Sequence, residues 1–277
     1  MSEITRRSFD PSSIPFPETH RILLSGVAPR PIAFVGSQDR DGRVNLSPFS
    51  FFNAFGVNPP VVCFSPAFAG KTGLPKDTLL NVLETRECTI SIISHDMVHQ
   101  ASLASAPYAR GVDEFEKGGF TKLPSQKISP PGVAESPFVM ETKLLHHIDF
   151  GGKPGSANLL ICEVLMMHVR DDVFTESGSI DPMRVDHVAR MGGPWYTRSK
   201  EGAFQYAQPM SPLVGIDGLP EALRNSSVLT GAELSRLATV VTVPECNADL
   251  TSEAVHARLR EQLNSGVPVE EIWKGLS

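Results

Sequence analysis

Short apolar runs separated by turn residues fill the first third of the chain, and this pattern predicts β-strands. Ile32 and Phe34 lie in one run and residues 61–64 form another, both rich in β-branched or aromatic side chains. Residues 39–42 supply the Asp and Gly that favour a tight turn, so a hairpin is predicted there. Two longer runs, 138–148 and 159–169, predict long strands around a Gly-rich turn, and a shift in alternation along the first indicates a bulge.

Helical spacing appears later and more sparsely. Leu79, Leu80, Val82 and Leu83 predict a helix capped by Asp77 or Thr78. From residue 219 the pattern becomes helical, with helices predicted at 220–225, 231–238, 252–264 and 267–273. The first 20 residues are polar and contain three prolines, which predicts an extended arm. The sequence therefore predicts an arm at 1–20, a mainly β domain with some α at 21–212, and a helical C-terminal extension at 213–277.

Composition narrows the class of protein and of partner. The chain has 277 residues, of which 41% are hydrophobic and 20% charged, as in ordinary globular proteins. Its net charge of −6, with no basic cluster, argues against nucleic acid and anionic membranes as partners. No apolar run approaches the roughly 18 residues of a membrane span, and no apolar stretch follows Arg6 and Arg7 to make a signal peptide. Four scattered cysteines without a Cys-x-x-Cys motif predict free thiols and a cytoplasmic location.

Two segments suggest chemistry, and each has an ordinary alternative. Residues 45–53 place hydroxyls and amides among aromatic rings, which suits a planar ring system with polar edges; a strand with its phenylalanines inside would look the same. Lys76 and Thr78 stand at a predicted helix start, where free N–H groups and a lysine make a phosphate seat. A capped surface helix is the alternative.

Other motifs are set aside. Residues 65–72 imitate a P-loop, but Ser65 stands where glycine is needed and Pro66 removes a donor. His95 and His99 have the spacing of metal ligands without a third ligand nearby, so no metal is predicted. His146, His147 and Asp149 could face a substrate or pair across strands. No triad or carboxylate pair identifies a catalytic residue.

Four ordered blocks resemble the flavin reductase-like, FMN-binding split-barrel family. They are Arg-Pro-Ile-Ala-Phe-Val-Gly-Ser (30–37), Asn-Leu-Ser-Pro-Phe-Ser-Phe-Phe-Asn-Ala (45–54), Asn-Pro-Pro (58–60) and Lys-Asp-Thr-Leu-Leu-Asn (76–81). A fifth, Arg190-x-Gly192-Gly193-x-x-Tyr196, resembles the family's closing block. The family includes reductase components of two-component monooxygenases, flavoredoxins and proteins labelled flavoprotein oxygenases.

The resemblance implies a fold, a cofactor and a site. It implies an FMN-binding split β-barrel with flanking helices, the flavin ring along 45–53, the phosphate near 76–78, and Arg190 on the phosphate or a ring carbonyl. The cofactor-binding residues so predicted are Ser37, Asn45, Ser47, Pro48, Phe49, Ser50, Phe51, Lys76, Asp77, Thr78, Asn81, Arg190, Gly192 and Tyr196. FMN in such barrels lies between two subunits, so a homodimer is expected.

Three functions remain open from the sequence. The first is hydride transfer from NAD(P)H to flavin, with a separate oxygenase component as a candidate partner. The second is an FMN enzyme, reductase or oxygenase, acting on its own small organic substrate. The third is a non-catalytic flavin- or haem-binding electron carrier. Flavin accepts hydride at its own N5, so flavin reduction by a nicotinamide needs no side-chain acid or base, and the absence of a recognisable acid–base motif is explained. The helical extension could cover a partner subunit or line the substrate pocket.

Overall fold

The computed structural model describes residues 4–206 and 208–277. The chain divides into two compact units, Met1–Ala203 and Phe204–Ser277. The division falls between residues 203 and 204, whereas the change in sequence pattern placed it after residue 212. Among the described residues, no helix is long and apolar enough to cross a membrane.

The first unit is built on a seven-stranded antiparallel sheet. Its strands are β1 (Ala33–Gln38), β2 (Val44–Phe49), β3 (Phe52–Val57), β4 (Pro60–Phe64), β5 (Glu87–Ile92), β8 (Phe138–Asp149) and β9 (Asn158–Val169). They pair in the order β2-β1-β5-β8-β9-β4-β3. Two short ribbons accompany the sheet, β6 (Lys122–Leu123) with β7 (Gly132–Val133) and β10 (Val188–Arg190) with β11 (Tyr196–Arg198).

Connectivity forces this sheet to curl. β2 and β3 stand at opposite ends of the strand order, yet only Ser50 and Phe51 separate them in the chain. Two linking residues can span only about 10 Å even when extended. The two edges therefore approach each other at Ser50 and Phe51, and the sheet becomes a barrel with a split along β2 and β3.

Several predicted features are confirmed. The hairpin at 39–42 joins β1 to β2, with Ser37 opposite Asn45 in the register and Gly42 at φ +84°. The two long predicted strands are β8 and β9, and their register shifts between Glu141 and Thr142 and again before His146, so the bulge is present. Three glycines with positive φ form the turn at 151–156 between them. Cys63, Cys88 and Cys162 are buried and unpaired.

Helices cover both faces of the sheet. They are α1 (Phe16–Gly26), α2 (Asp77–Thr85), α3 (Val98–Ala104), α4 (Glu114–Gly118), α5 (Pro182–Val185) and α6 (Ser199–Gly202), with short 3-10 turns at His95–Met97 and Asp171–Val173. Because strand side chains alternate, Val35 packs with α2 on one face while Phe34 packs with α3 and α4 on the other. The prediction of an extended arm to residue 20 is wrong from Phe16 onward. Pro17 stands in the first turn of α1, where proline needs no N–H partner.

The second unit is helical, as predicted. Its helices are α7 (Glu221–Arg224), α8 (Gly231–Leu237), α9 (Glu253–Asn264) and α10 (Val269–Lys274), with a 3-10 turn at Ile216–Gly218. Leu223, Leu237, Leu259 and Trp273 form a core of its own. Thr230 and Glu233 make a reciprocal capping box at the start of α8.

Candidate functional site

A cleft of about 320 Å³ lies beside the point where β2 and β3 separate. Five of the predicted site residues line it: Pro48, Ser50 and Phe51 from the 45–54 block, and Arg190 and Tyr196 from the closing block. Their positions in the chain are some 140 residues apart, so the fold alone brings them together. The cleft has the size of an ordinary small-molecule site.

The β10–β11 ribbon presents Arg190 and Tyr196 side by side. The two residues are register partners, Nη1 of Arg190 donates to the Tyr196 hydroxyl at 2.8 Å, and the guanidinium lies 4.7 Å from the centre of the Tyr196 ring. Nη2 of Arg190 donates to the Gly193 carbonyl at 2.7 Å. A guanidinium has five N–H groups, so donors remain for a ligand. The pair offers one flat aromatic surface with a positive charge already fixed against it.

An ion pair holds this ribbon in place. Arg198, at the end of β11, donates from Nε and Nη2 to the two oxygens of Asp186 at 2.9 and 2.6 Å. These bonds keep the pKa of Asp186 below its ordinary value despite partial burial. Asp186 has φ +55°, an uncommon conformation that the two-point contact helps to maintain. The ribbon is therefore a rigid support for Arg190.

Arg30 is the main site residue that sequence patterns did not identify. Its backbone N–H and C=O pair with those of Arg190, both at 2.9 Å. Arg30 is only 5% exposed, and its guanidinium donates to the carbonyls of Leu24 and Val27 at the end of α1 and to that of Met191. Burial and the charge of Arg190 hold the pKa of Arg30 below its ordinary value, although arginine remains protonated in proteins. Arg30 thus ties α1 to the loop that carries the Gly-Gly pair.

The charge of the cleft is one-sided. Arg30 and Arg190 both line it, and no carboxylate does among the described residues. Among the buried side-chain nitrogens and oxygens that the structure describes, the Nε of Arg30 is the one that has no hydrogen-bond partner. Two cations without a counter-ion favour an anionic or electron-rich ligand. Together with Pro48, Phe51 and Tyr196, they fit a planar ring system that carries negative charge or carbonyl oxygens, as a flavin does.

A second group of predicted residues forms a buried polar network outside this cleft. The Thr78 hydroxyl and Ser37 hydroxyl donate to Oδ1 of Asn45 at 2.7 and 3.3 Å, and Asn81 donates to Ser37 at 3.2 Å. The Asn45 amide in turn donates to Glu114 at 3.0 Å. Burial raises the pKa of Glu114, although the Asn45 amide and the Leu46 backbone N–H donate to its carboxylate and act in the opposite direction. The network joins β1, β2, α2 and α4, so its evident role is to fix their packing.

The start of α2 differs from the prediction. Lys76 is the N-cap and no side chain caps the helix, so the expected cap by Asp77 or Thr78 is wrong. Asp77 pairs instead with Arg110 at 3.0 Å, and Thr78 is 1% exposed with its hydroxyl turned inward. A phosphate at this point would meet the exposed Lys76 side chain and the free backbone N–H groups of the first turn, not the Thr78 hydroxyl. The assignment of the phosphate to this helix start stays a prediction.

Segment 45–53 combines the two structures predicted for it: a strand with a buried phenylalanine, and a surface that lines the cleft. Phe49 is 9% exposed, packs in the sheet core with its ring 5.8 Å from that of Phe64, and does not line the cleft; its assignment as a flavin contact stays a prediction. Ser47, opposite Val35 in the register, is half-buried and does not line the cleft. The strand ends at Phe49, and the break at Ser50 turns Phe51 toward the cleft.

Gly192 has a packing role. A Cβ at this position would lie 2.3 Å from the Ser25 Oγ, so α1 can approach the loop only because the residue is glycine. The remaining lining residues come from elements that sequence patterns did not connect to a site: His20, Leu24, Ile32, Ile93, Val98, Ala101, Ser102 and Ser105. The one signal for Arg30 was its place at the head of the first block.

Comparison with known proteins gives a consistent result. Residues 25–187 match the family model described as flavin reductase like domain. The fold is similar to nitrilotriacetate monooxygenase component B from Bacillus cereus, with 28% identity over 74% of this chain and 100% of that one and a TM-score of 0.69. The fold is also similar to the 2-nitrobenzoate 2-nitroreductase of Pseudomonas fluorescens, with 25% identity over 76% of this chain and 100% of that one and a TM-score of 0.66.

A third structure settles the fold. A protein from Shewanella frigidimarina described as a flavin reductase with a split barrel domain shares 25% identity, covers 74% of this chain and 100% of its own, and has a TM-score of 0.63. The predicted split β-barrel with flanking helices is confirmed.

Proposed function

The chain belongs to the flavin reductase-like domain family, and we propose that it is an FMN-dependent oxidoreductase that takes hydride from NAD(P)H. Membership of this family and its flavoprotein neighbours establish a flavin-dependent oxidoreductase with a flavin cofactor. The choice of FMN, the nicotinamide donor and a cytoplasmic location for a chain with free cysteines are parts of the proposal.

One observation carries it: where the 45–54 block and the closing block meet, the cleft combines aromatic and proline surfaces with two arginines and no carboxylate among its described lining residues. Phe51 and Tyr196 would bind the ring, and Arg190 would favour negative charge on it. When bound, the flavin supplies the hydride acceptor, so the side chains need only bind, orient and exclude water. Ser50, Ser102 and Ser105 can hold polar edges of a ligand by hydrogen bonds.

The direct test is to purify the chain, measure NADH and NADPH oxidation with and without added FMN, and pass the mixture through gel filtration. Oxidation that depends on FMN, with flavin eluting in the protein peak, is the expected result. Protein that binds no FMN, or FMN-loaded protein that oxidises neither nucleotide, contradicts the proposal.

We further propose a homodimer. The edge strand β3 exposes Phe55 (69%) and Val57 (92%), and Met167 of β9 is also exposed. An unpaired edge with exposed apolar side chains is typical of an interface, since a monomer would risk aggregation there. Light scattering should give twice 30.0 kDa for the wild type.

Two matched variants test whether β3 forms the dimer interface. Phe55→Lys combined with Val57→Lys should give a monomer, whereas Val241→Lys, at an exposed apolar site of the second unit, should leave the mass unchanged. A wild-type monomer that retains FMN would show that the site is complete in one chain.

Two fates of the reduced flavin are consistent with the proposal. The likeness to a monooxygenase component B favours release of reduced flavin to a separate oxygenase. A second, apolar groove beside the cleft favours turnover of the chain's own substrate.

A further inference from the structure

Helix α1 is attached at its ends rather than along its length. None of its side chains is fully buried, although its sequence contains Phe16, Leu23 and Leu24. At its start the Phe16 ring lies so close to Gly155 that a Cβ there would be 2.3 Å from Cζ of Phe16. At its end Arg30 binds the carbonyls of Leu24 and Val27. An isolated helix of 11 residues is marginal in water, so these end contacts keep α1 in place.

Between its attachments α1 forms one wall of a groove of about 440 Å³. The helix contributes Phe16, Leu23 and Leu24, and the facing surface contributes Phe51, Ala67 and Phe68. Of the described residues that line the groove, none carries a carboxylate, ammonium or guanidinium group, and the one with a titratable side chain is His20, which also lines the cleft. Nearly all of α1 precedes residue 25, where the match to the family model begins.

The groove opens directly into the cleft that holds the two arginines. His20, Leu24 and Phe51 line both spaces, so the Phe51 ring stands at their junction. The charged side of the combined space is the cleft with Arg30 and Arg190, and the uncharged side is the groove under α1. A molecule in the groove would therefore lie next to whatever the cleft binds.

We propose that the groove under α1 binds an uncharged aromatic molecule, and that this molecule is the substrate class of the flavin site. The proposal deepens the proposed function, and its second part, that the molecule is the substrate of the flavin site, rests on that function. Apolar walls reject charge, because an unpaired ion loses its hydration without compensation. Apolar cavities lined by Leu and Phe bind apolar rings, and Phe16, Phe51 and Phe68 supply aromatic partners. The volume lies within the range of about 300–1,000 Å³ seen for small-molecule sites.

The test uses calorimetric titration of the full chain, FMN-free and FMN-loaded, without NAD(P)H. The probes are naphthol and, as its matched anion, naphthalene sulfonate. Saturable binding of naphthol in both forms is expected, with affinity for the sulfonate at least about tenfold weaker in the FMN-loaded chain. Leu23→Asp places a carboxylate in the groove and should weaken naphthol binding by about tenfold or more.

Controls separate the groove from the helix and from the cofactor site. Arg21→Asp puts the same carboxylate on the exposed side of α1, outside the groove, and should leave naphthol affinity unchanged. Leu23 does not line the cleft, so FMN affinity should persist in Leu23→Asp. Failure of naphthol to bind, equal binding by Leu23→Asp, or preference for the sulfonate overturns the groove assignment. Failure of FMN to bind while naphthol binds in a Leu23-dependent way overturns the proposed cofactor and, with it, the role of the molecule as substrate of the flavin site, and the groove assignment stands.

Discussion

Replacing Arg190 by alanine is expected to raise the dissociation constants of FMN and riboflavin together, by roughly tenfold to a hundredfold. Arg190 lies over the Tyr196 ring with donors to spare, and a charge-assisted hydrogen bond to a ring carbonyl contributes about 1.5–3 kcal/mol. Both flavins share the ring, so both should weaken. The measurement is paired fluorescence titration, with melting temperatures to show that the half-buried side chain is not needed for folding.

Lys76→Ala is the companion variant. If the phosphate lies at the start of α2, FMN affinity should fall by a similar factor while riboflavin, which lacks the phosphate, hardly responds. Thr78→Val should instead act on stability, by about 1 kcal/mol, because its hydroxyl serves the buried network. The reverse pattern, with Arg190→Ala selective for FMN and Lys76→Ala silent, would move the phosphate into the arginine cleft.

Arg30→Met should destabilise the first unit by about 3 kcal/mol. Methionine keeps much of the volume but leaves the carbonyls of Leu24, Val27 and Met191 without their charged donor. Relief of the buried charge offsets part of this loss, yet the carbonyls of Leu24 and Val27 also form the negative end of α1, which a cation stabilises. For a unit of this size the melting temperature should fall by roughly 6–12 °C.

Two further variants test the reason for that loss. Arg30→Lys keeps the charge but cannot reach three carbonyls with one ammonium group, so an intermediate loss is expected. Arg21→Met, on the exposed side of the same helix, should change stability by less than about 0.5 kcal/mol. A melting temperature of Arg30→Met equal to that of Arg21→Met would mean that Arg30 does not secure α1.

Local patterns determined much of the fold. Apolar runs with turn residues between them located the strands that became β1, β4, β8 and β9, and the Asp–Gly turn located the first hairpin. Helical spacing located α2 and the four C-terminal helices. These elements could be predicted because side-chain period and turn chemistry act within a few residues. The 45–54 block and the closing block also identified five lining residues of the cleft through their resemblance to family motifs.

Tertiary structure decided which of the predicted residues line the cleft. Asn45, Ser37 and Thr78 look like binding residues in the sequence, but the register of β1 with β2 and the packing of α2 turn them toward one another. Phe49 and Phe51 differ only in that the strand ends between them, which sends one ring into the core and the other to the cleft.

The sequence by itself determined the strands β1, β4, β8 and β9, the helices α2 and α7–α10, and the motif blocks, since these depend on near neighbours along the chain. The site depended on contacts across the fold: the closure of the sheet at Ser50 and Phe51, the pairing of Arg30 with Arg190, and the attachment of α1 over the groove. No periodicity predicts which distant backbone groups will pair, because that choice is made by how well whole surfaces pack together. That is why Arg30, α1 and the groove emerged only from the folded chain.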